Sequence, residues 1–437
     1  MLYSMQFKST RSDKVPVSFK DAVLHCLPKN GGLYVPFSMP DMRQFFLHMD
    51  ADTSYSELVS AVAPVLLHGE LNPFSALRVA ESAFDFEPEL HYINEHISLL
   101  NLYQGHTGTF KDFGMAFLAA VMEELLKTSG QVIALSATRG ETGMSIARAF
   151  HSRRNIINVM LYPEGPIYGL DPKDFVPNGG TIIPIQVKGT FDDCQRLVLE
   201  TLQDRPFAER HSLTTANTIN VGRLLPQSFY YLYAFTKIKK QLKGDLVFSV
   251  PCGNCGNLIA GLYAWRFGLP VNSFIAAMNQ NNTFGDFING KSFSTRAPIA
   301  TVSPALDVTV PSNYERLEAF YTEAPAVMRN MVFPITIDDP TTLATIEQVW
   351  KEHGIMLDPH TALAFAAALA FARTHDSAHS IVLSTGHPAR TAGIVHRAIG
   401  IQPELPVDLA WLQTTTKPIA SIAPSLDSLE AALISCF

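Results

Sequence analysis

LVFSVPCGNCGNLIAGLYAWRFG, residues 246–268, decides the fold. LVFSV (246–250) reads as a buried strand, a glycine-rich turn follows, and NLIAGLYAWRFG (257–268) reads as a helix. Gly253 and Gly256 let the backbone turn tightly and present successive N–H groups, and the first helical turn adds partial positive charge. Gly253, Asn254, Cys255, Gly256 and Asn257 therefore make a candidate cradle for a phosphate group. No Gly-Lys-Ser/Thr follows, so this is not a Walker loop, and the spacing is not that of Gly-x-Gly-x-x-Gly. Taken alone, the stretch also fits an ordinary strand-to-helix turn. Cys252 and Cys255 form a Cys-x-x-Cys as well. Zinc would need a second pair of ligands, and none is evident, so no metal is expected; a redox dithiol stays open.

The same grammar extends outward from about 131 to 270. QVIALSA (131–137), NIINVMLY (155–162) and TIIPIQV (181–187) read as strands, with helices starting at TGMSIARAF (142–150) and near Phe191. Short apolar runs alternating with helical patterns predict βαβ units, hence largely parallel sheets covered by helices, which bind ligands at the carboxyl ends of their strands. The first 95 or so residues are strand-poor and helix-biased, as in SYSELVSAVAPVLLHG (54–69). The last 35 or so carry Pro403, Pro406, Pro418 and Pro424 and read as a surface extension. No internal repeat or low-complexity tract appears.

Composition narrows the function classes. The chain has 437 residues, 47% hydrophobic and 17% charged, which is enough apolar material for two or three packed domains. Its net charge of -7 is spread without a basic run, which argues against nucleic acid as a partner. The five cysteines (Cys26, Cys194, Cys252, Cys255, Cys436) show no disulfide framework. The opening MLYSMQFKSTRSDK lacks the apolar core of a signal peptide, and no apolar run is long enough to cross a bilayer. TALAFAAALAFA (361–372) is Ala-rich and reads as a buried helix. A cytoplasmic protein acting on a small molecule, without membrane partners, is the expectation.

Three further stretches carry chemistry. In LYQGHTGTFKDFGMAFLAAVMEELL (102–126), apolar residues at 113, 117, 118, 121, 122 and 125 mark an amphipathic helix, and Lys111 opens it between Phe110 and Phe113. An isolated lysine is usually a surface residue; one that reacts with a carbonyl must be partly desolvated so that its amine is neutral, and these flanks suit that. SATRGETGMSIA (136–147) offers Thr138, Arg139, Gly140, Glu141 and Thr142 in a loop before a helix, a candidate carboxylate cradle. STGHPAR (384–390) follows the strand-like SIVL (380–383) and places a hydroxyl, Thr385, where it could meet a ring nitrogen.

Together and in this order these segments resemble the threonine synthase family, of the tryptophan-synthase-β-like class of pyridoxal-phosphate enzymes. KSTRSDKVPVSFKDAVLHCLPKNGGLYVP (8–36) is similar to the family's opening, with Asn30 in place of an Asp. GHTGTFKDFG (105–114) is similar to Gly-Pro-Thr-x-x-Phe-Lys-Asp, and GNCGN (253–257) to Gly-Asn-Phe-Gly-Asn, with Cys255 for Phe. TTANTINVGRLLPQSFYY (214–231) is similar to Ser-Ala-Asn-Ser-Ile-Asn-x-x-Arg-Leu, which carries Asn217; SPALDVTVPSNYERL (303–317), LDPHTA (357–362) and STGHPAR match further segments. The resemblance runs along nearly the whole chain. Two further departures bear on substrate: Arg139 and Glu141 stand where the family usually has Ser and Asp, and His106 replaces a proline ahead of the lysine. His106, five residues before Lys111, is kept as a candidate for proton transfer or phosphate binding beside the commoner structural role.

The resemblance implies an α/β protein of fold type II, with an N-terminal helical subdomain (1–97), a smaller α/β domain bearing the lysine and carboxylate loop (98–222), and a larger one with the phosphate loop (223–437). It implies pyridoxal 5'-phosphate held by Lys111, Gly253, Asn254, Cys255, Gly256, Asn257 and Thr385. The substrate would meet Thr138, Arg139, Gly140, Glu141, Thr142 and Asn217. The implied enzyme is a lyase that converts O-phospho-L-homoserine and water to L-threonine and phosphate, with Lys111 as the catalytic residue. A phospho-lyase or other eliminating enzyme of the same fold is the alternative, and a redox role built on CGNC a more distant one. Monomer and homodimer are both compatible with the sequence.

Overall fold

The computed structural model describes residues 4–11, 15–127, 130–291, 293 and 296–436. Ser12, Asp13 and Lys14 of the opening segment, and the first three residues of the N-terminus, lie outside them. Two open sheets dominate. The larger runs in the order Val332–Thr336, Ser273–Met278, Leu246–Pro251, His379–Ser384, Ile97–Asn101, Glu89–Asn94. All its pairings are parallel except the last, an antiparallel hairpin. The smaller runs Leu213–Thr214, Val132–Ala137, Ile156–Tyr162, Ile182–Val187, Ala420–Ile422, all parallel. The central strands are apolar on both faces because helices cover both, the pattern expected of parallel sheets.

Each sheet reverses its winding once, and these two reversals position the site. In the larger sheet the chain leaves Leu246–Pro251 toward one edge and returns to His379–Ser384 on its other side. In the smaller, Val132–Ala137 and Leu213–Thr214 are neighbours whose connections run in opposite directions. Crevices open beyond strand carboxyl ends at such points. The residues that follow these four strands are 252–257, 385–390, 138–142 and 215–218, all within the segments expected to carry chemistry.

The strand and helix limits agree with the sequence pattern to within a residue or two along 131–270, with helices Glu141–Ala149, Phe191–Gln203 and Gly256–Arg266. Pro359–Ala372 is a helix buried for most of its circumference, as its unbroken Ala/Leu/Phe composition requires. Three expectations change. The N-terminal region has helices, such as Tyr55–Leu66 with its Ser54/Glu57 capping box, but it also holds an antiparallel sheet of Gln6–Ser9, Val17–Ser18 and Tyr34–Ser38. The C-terminal segment is no mere surface extension: Ala420–Ile422 extends the smaller sheet, and Leu429 and Leu433 of helix Leu426–Cys436 join its core. Helix Lys111–Leu126 is buried nearly all round rather than on one stripe. Gly114 makes that possible, since a Cβ there would lie 2.5 Å from the Arg223 carbonyl oxygen. Sheet membership also crosses the cuts at 97 and 222, because 89–94 joins the larger sheet and 420–422 the smaller.

Candidate active site

A cavity of about 610 Å³ opens between the carboxyl edges of the two sheets. Lys111, Arg139, Glu141, Thr142, Asn217, the loop Gly253, Asn254, Cys255, Gly256, Asn257, and Thr385 all line it. Lys111 sits on the first turn of its helix with its side chain 18% exposed, the ammonium 5.1 Å from the centre of the Phe110 ring. The segment ahead of it is zipped to the 385–387 loop: Phe110 N donates to Thr385 O (3.0 Å) and His387 N to Gly108 O (2.9 Å). Buried Asp112 accepts Thr107 N and Thr107 Oγ1, both at 2.7 Å, and so shapes the turn before the lysine. Burial raises the Asp112 carboxyl, while these Thr107 hydrogen bonds oppose it.

Lys111 Nζ forms an ion pair with Glu141, and Arg390 Nε lies 3.6 Å from the same carboxylate while Arg390 Nη1 donates to Thr107 O at 2.6 Å. Burial would raise the Glu141 carboxyl, but the Lys111 and Arg390 charges outweigh it and hold the group well below the ordinary range. Glu141, expected to meet substrate, lines the cavity and is paired with the lysine.

The glycine loop is built as a backbone cradle. Cys252 N donates to Ala277 O (2.8 Å), and Cys255 takes a left-handed conformation (φ 58°) just before the helix. Asn254 Oδ1 accepts Ser312 N (3.0 Å) and its carbonyl accepts Asn313 Nδ2 (3.1 Å). Tyr230 and Tyr231 both donate to Asn257 Oδ1, at 2.6 and 2.8 Å, leaving Asn257 Nδ2 buried without a partner. The side chains thus clamp the loop from behind, and the N–H groups of the first helical turn remain for a ligand.

The opposite wall is different. Thr138 Oγ1 accepts Gly140 N (3.0 Å) and Gly143 N (2.8 Å), so it consumes donors expected to receive a carboxylate. Of the expected substrate set, Arg139, Glu141, Thr142 and Asn217 line the cavity, whereas Thr138 and Gly140 stand behind its wall. Asn217 exchanges two hydrogen bonds with the backbone of Ala137, both 2.9 Å, and so fixes the loop's root. Arg139 is exposed and lies 4.4 Å over the Phe191 ring, with no carboxylate in ion-pair reach among the described residues. Four other cavity cations are engaged: Arg11 with Glu315, Arg196 with Asp193 and Glu200, Lys111 and Arg390 with Glu141. His106 turns away from the cavity to Asp85 (2.9 Å) and the Phe86 ring, which corrects its candidacy for proton transfer or phosphate binding.

Five cavity residues without an assigned role in the sequence reading stand out. Arg223 is buried, donates through Nη1 to Ala216 O (2.8 Å), and leaves Nε unpartnered; burial, opposed by Asp112, pushes it down to about 10. Asp358 accepts His360 Nδ1 (2.7 Å) while His360 Nε2 accepts Ala305 N (3.2 Å), which fixes the ring's tautomer. His387 accepts Ala389 N through Nδ1 (3.2 Å), and burial followed by Arg390 lowers it below its ordinary value. Arg390 holds the Glu141 side of the cavity. All five stand in segments already matched to the family, which was the available signal.

A fold of two open sheets meeting over a lysine and a glycine loop defines a class, the pyridoxal-phosphate-dependent enzymes, whose family model matches residues 91–386. Models described as the threonine synthase N terminus and the threonine synthase C-terminal region match residues 6–81 and 361–433. Threonine synthase of Escherichia coli K12 is 34% identical over 411 residues, covering 93% of this chain and 94% of that protein. The crystal structure of the E. coli enzyme superposes with a TM-score of 0.87 at 31% identity, covering 99% of this chain and 100% of that one. A pyridoxal-phosphate-bound threonine synthase from Brucella melitensis gives 0.87 at 29% identity, covering 99% of each chain. This chain belongs to the threonine synthase family.

The residues present fit the cofactor that this membership implies. A half-buried primary amine and an anion cradle share one cavity, and the cradle has an orphaned buried donor, Asn257 Nδ2. At Gly253 a Cβ would meet the Ala305 carbonyl oxygen at 2.9 Å, so the loop can approach its surroundings only without a side chain.

Proposed function

We propose that this chain converts O-phospho-L-homoserine and water to L-threonine and phosphate in the cytoplasm. The observation that carries the reading is the single cavity joining Lys111 to the 253–257 loop and its orphaned donor. Lys111 would hold pyridoxal phosphate covalently, the N–H groups of the loop and Asn257 its phosphate, and the Thr385 hydroxyl its ring nitrogen. A hydroxyl is too weak an acid to protonate that nitrogen. When bound, the cofactor supplies an electron sink for charge developed at the substrate's carbons.

The chain's own groups do the rest. Lys111 Nζ would take the proton from substrate Cα. Glu141 is a positioning residue: its carboxylate holds Nζ at the cavity wall and accepts charge from it, with Arg390 keeping Glu141 ionised. Thr142, Asn217 and the N-terminus of helix Glu141–Ala149 would receive the α-carboxylate, with Thr138 and Gly140 shaping that loop from behind. Arg139 and Arg223 are the cavity arginines with no carboxylate in ion-pair contact among the described residues and would take the phosphate end. Substrate seated in this cavity would be shielded from bulk water until a single water adds at Cβ.

Incubating purified protein with O-phospho-L-homoserine tests the reading. Equimolar threonine and phosphate are expected. Phosphate accompanied by 2-oxobutyrate would identify a phospho-lyase instead, and no turnover of this compound would overturn the substrate assignment. Sedimentation of the same sample decides between monomer and homodimer.

A further inference from the structure

Cys252 and Cys255 bracket the turn that opens helix Gly256–Arg266, and their Sγ atoms lie 3.2 Å apart. Both are buried, but only Cys255 forms part of the cavity wall; Cys252 stands behind it. The Cys255 thiol also contacts the Gly253 carbonyl at 3.3 Å. No group of three or more His, Cys, Asp or Glu that could hold a metal occurs among the described residues, so a metal has no complete ligand set here. Two thiols already in contact within a four-residue turn need only a shift of about 1 Å to reach the disulfide bond length of about 2.05 Å.

We propose that Cys252 and Cys255 form a reversible disulfide in the cofactor-free protein, and that this bond and the phosphate of pyridoxal phosphate exclude one another at the loop. The exclusion rests on reading 253–257 as the phosphate cradle. The oxidant is a small-molecule disulfide entering through the cavity. The Cys255 thiolate attacks one of its sulfurs and expels one thiolate. Cys252 thiolate then attacks Cys255 Sγ and expels the second. Two protons leave the cysteines and end on the two released thiols, and two electrons pass to the oxidant.

Two features link this bond to the cofactor. The cavity is the route by which an oxidant meets Cys255, and a ligand seated on the loop closes it. Drawing the sulfurs together also pulls on Cys255, whose left-handed backbone aims the N–H groups of Gly256 and Asn257. Whatever factor the bond takes from cofactor affinity, the cofactor must take from the bond's stability. A tenfold factor corresponds to a shift of about 30 mV in the dithiol's potential. Burial and the neighbouring Cys252 raise the Cys255 thiol, so exchange is slow at neutral pH.

The test treats full-length, reduced protein with excess oxidised glutathione, with and without pyridoxal phosphate, and counts thiols before mapping peptides by mass. In the cofactor-free protein two thiols are expected to disappear into one dithiothreitol-reversible link between positions 252 and 255, and Cys252→Ala should form no such link. Pyridoxal phosphate should slow the loss about tenfold, and absorbance titration should show the oxidised protein binding it about tenfold more weakly. Thiols that survive, a link through Cys26, Cys194 or Cys436, or equal rates and affinities would each overturn the proposal. Reduced protein that cross-links normally but fails to bind pyridoxal phosphate would instead remove the reading of the loop, and the exclusion with it.

Discussion

The two walls of the cavity are built in opposite ways. On the larger sheet, Asn254 and Asn257 face backward into Ser312, Tyr230 and Tyr231, so the front of the 253–257 loop is backbone. On the smaller sheet, the Thr138 hydroxyl turns two backbone N–H groups inward, so the front of the loop is side chain: Arg139, Glu141 and Thr142. A backbone wall tolerates a changed side chain, which is how Cys255 stands where the family has Phe. A side-chain wall does not. On the proposed function, the departures Arg139 and Glu141 would therefore bear on substrate and on the lysine, while Cys255 would leave the loop's backbone donors in place.

The largest effect should come from breaking the backbone wall. Gly253→Ala places a Cβ against the Ala305 carbonyl oxygen, 2.9 Å away, and neither backbone can yield cheaply. Its dissociation constant for pyridoxal phosphate, followed by absorbance, should rise about tenfold to hundredfold, or about 1.4–2.8 kcal/mol. Gly256→Ala, whose Cβ would meet Thr218 Cγ2 at 3.3 Å, should do less.

Breaking the side-chain wall should leave cofactor binding alone. Arg139→Ser is expected to lower kcat/KM for O-phospho-L-homoserine about tenfold, or about 1.4 kcal/mol, with an unchanged cofactor spectrum. Phe191→Ala removes only the ring beneath the guanidinium and should cost about 0.5–1 kcal/mol in the same assay. An effect of Arg139→Ser below threefold would mean that the guanidinium serves the stack and not the substrate.

Smaller effects sharpen the contrast. Glu141 is held below its ordinary value of 4.5, so the stability it contributes is complete above that pH and declines as pH falls toward its folded value. The gap in urea midpoint between wild type and Glu141→Gln should be constant at pH 6–8 and narrow below about pH 4.5. A gap that widens on acidification would show that the carboxylate is not stabilised as an ion. Smallest of all, reduced Cys255→Ala should bind pyridoxal phosphate within about twofold of wild type, because its side chain presents nothing the cradle uses.

Much of this was legible in the order of residues, and the failures have physical causes. The 246–268 stretch announces itself because strand, glycine turn and helix follow one another within 23 residues, so local periodicity suffices. Lys111 was found through its neighbours Phe110 and Phe113 and the family motif. Periodicity cannot see the Glu141–Arg390 contact, which joins segments that follow strands of different sheets. Nor can it see that Thr138 faces inward, which depends on where the next helix begins. The strands Val17–Ser18 and Ala420–Ile422 are too short to carry an alternation, and pairing with distant segments alone makes them strands. Arg316 shows the same limit. It is fully buried, and its guanidinium is satisfied by the carbonyls of Tyr34, Thr218 and Ile219 and by Asn313 Oδ1 (2.6–3.0 Å), partners scattered across the chain.

The central claim is that one lysine, at the junction of the two walls, carries the cofactor. Holoprotein reduced with borohydride, digested and mapped by mass spectrometry tests it directly. The account predicts a single phosphopyridoxyl adduct on Lys111, absent from Lys111→Ala, which should remain folded and lose turnover by several orders of magnitude. An adduct on any other lysine in the wild-type protein would contradict it.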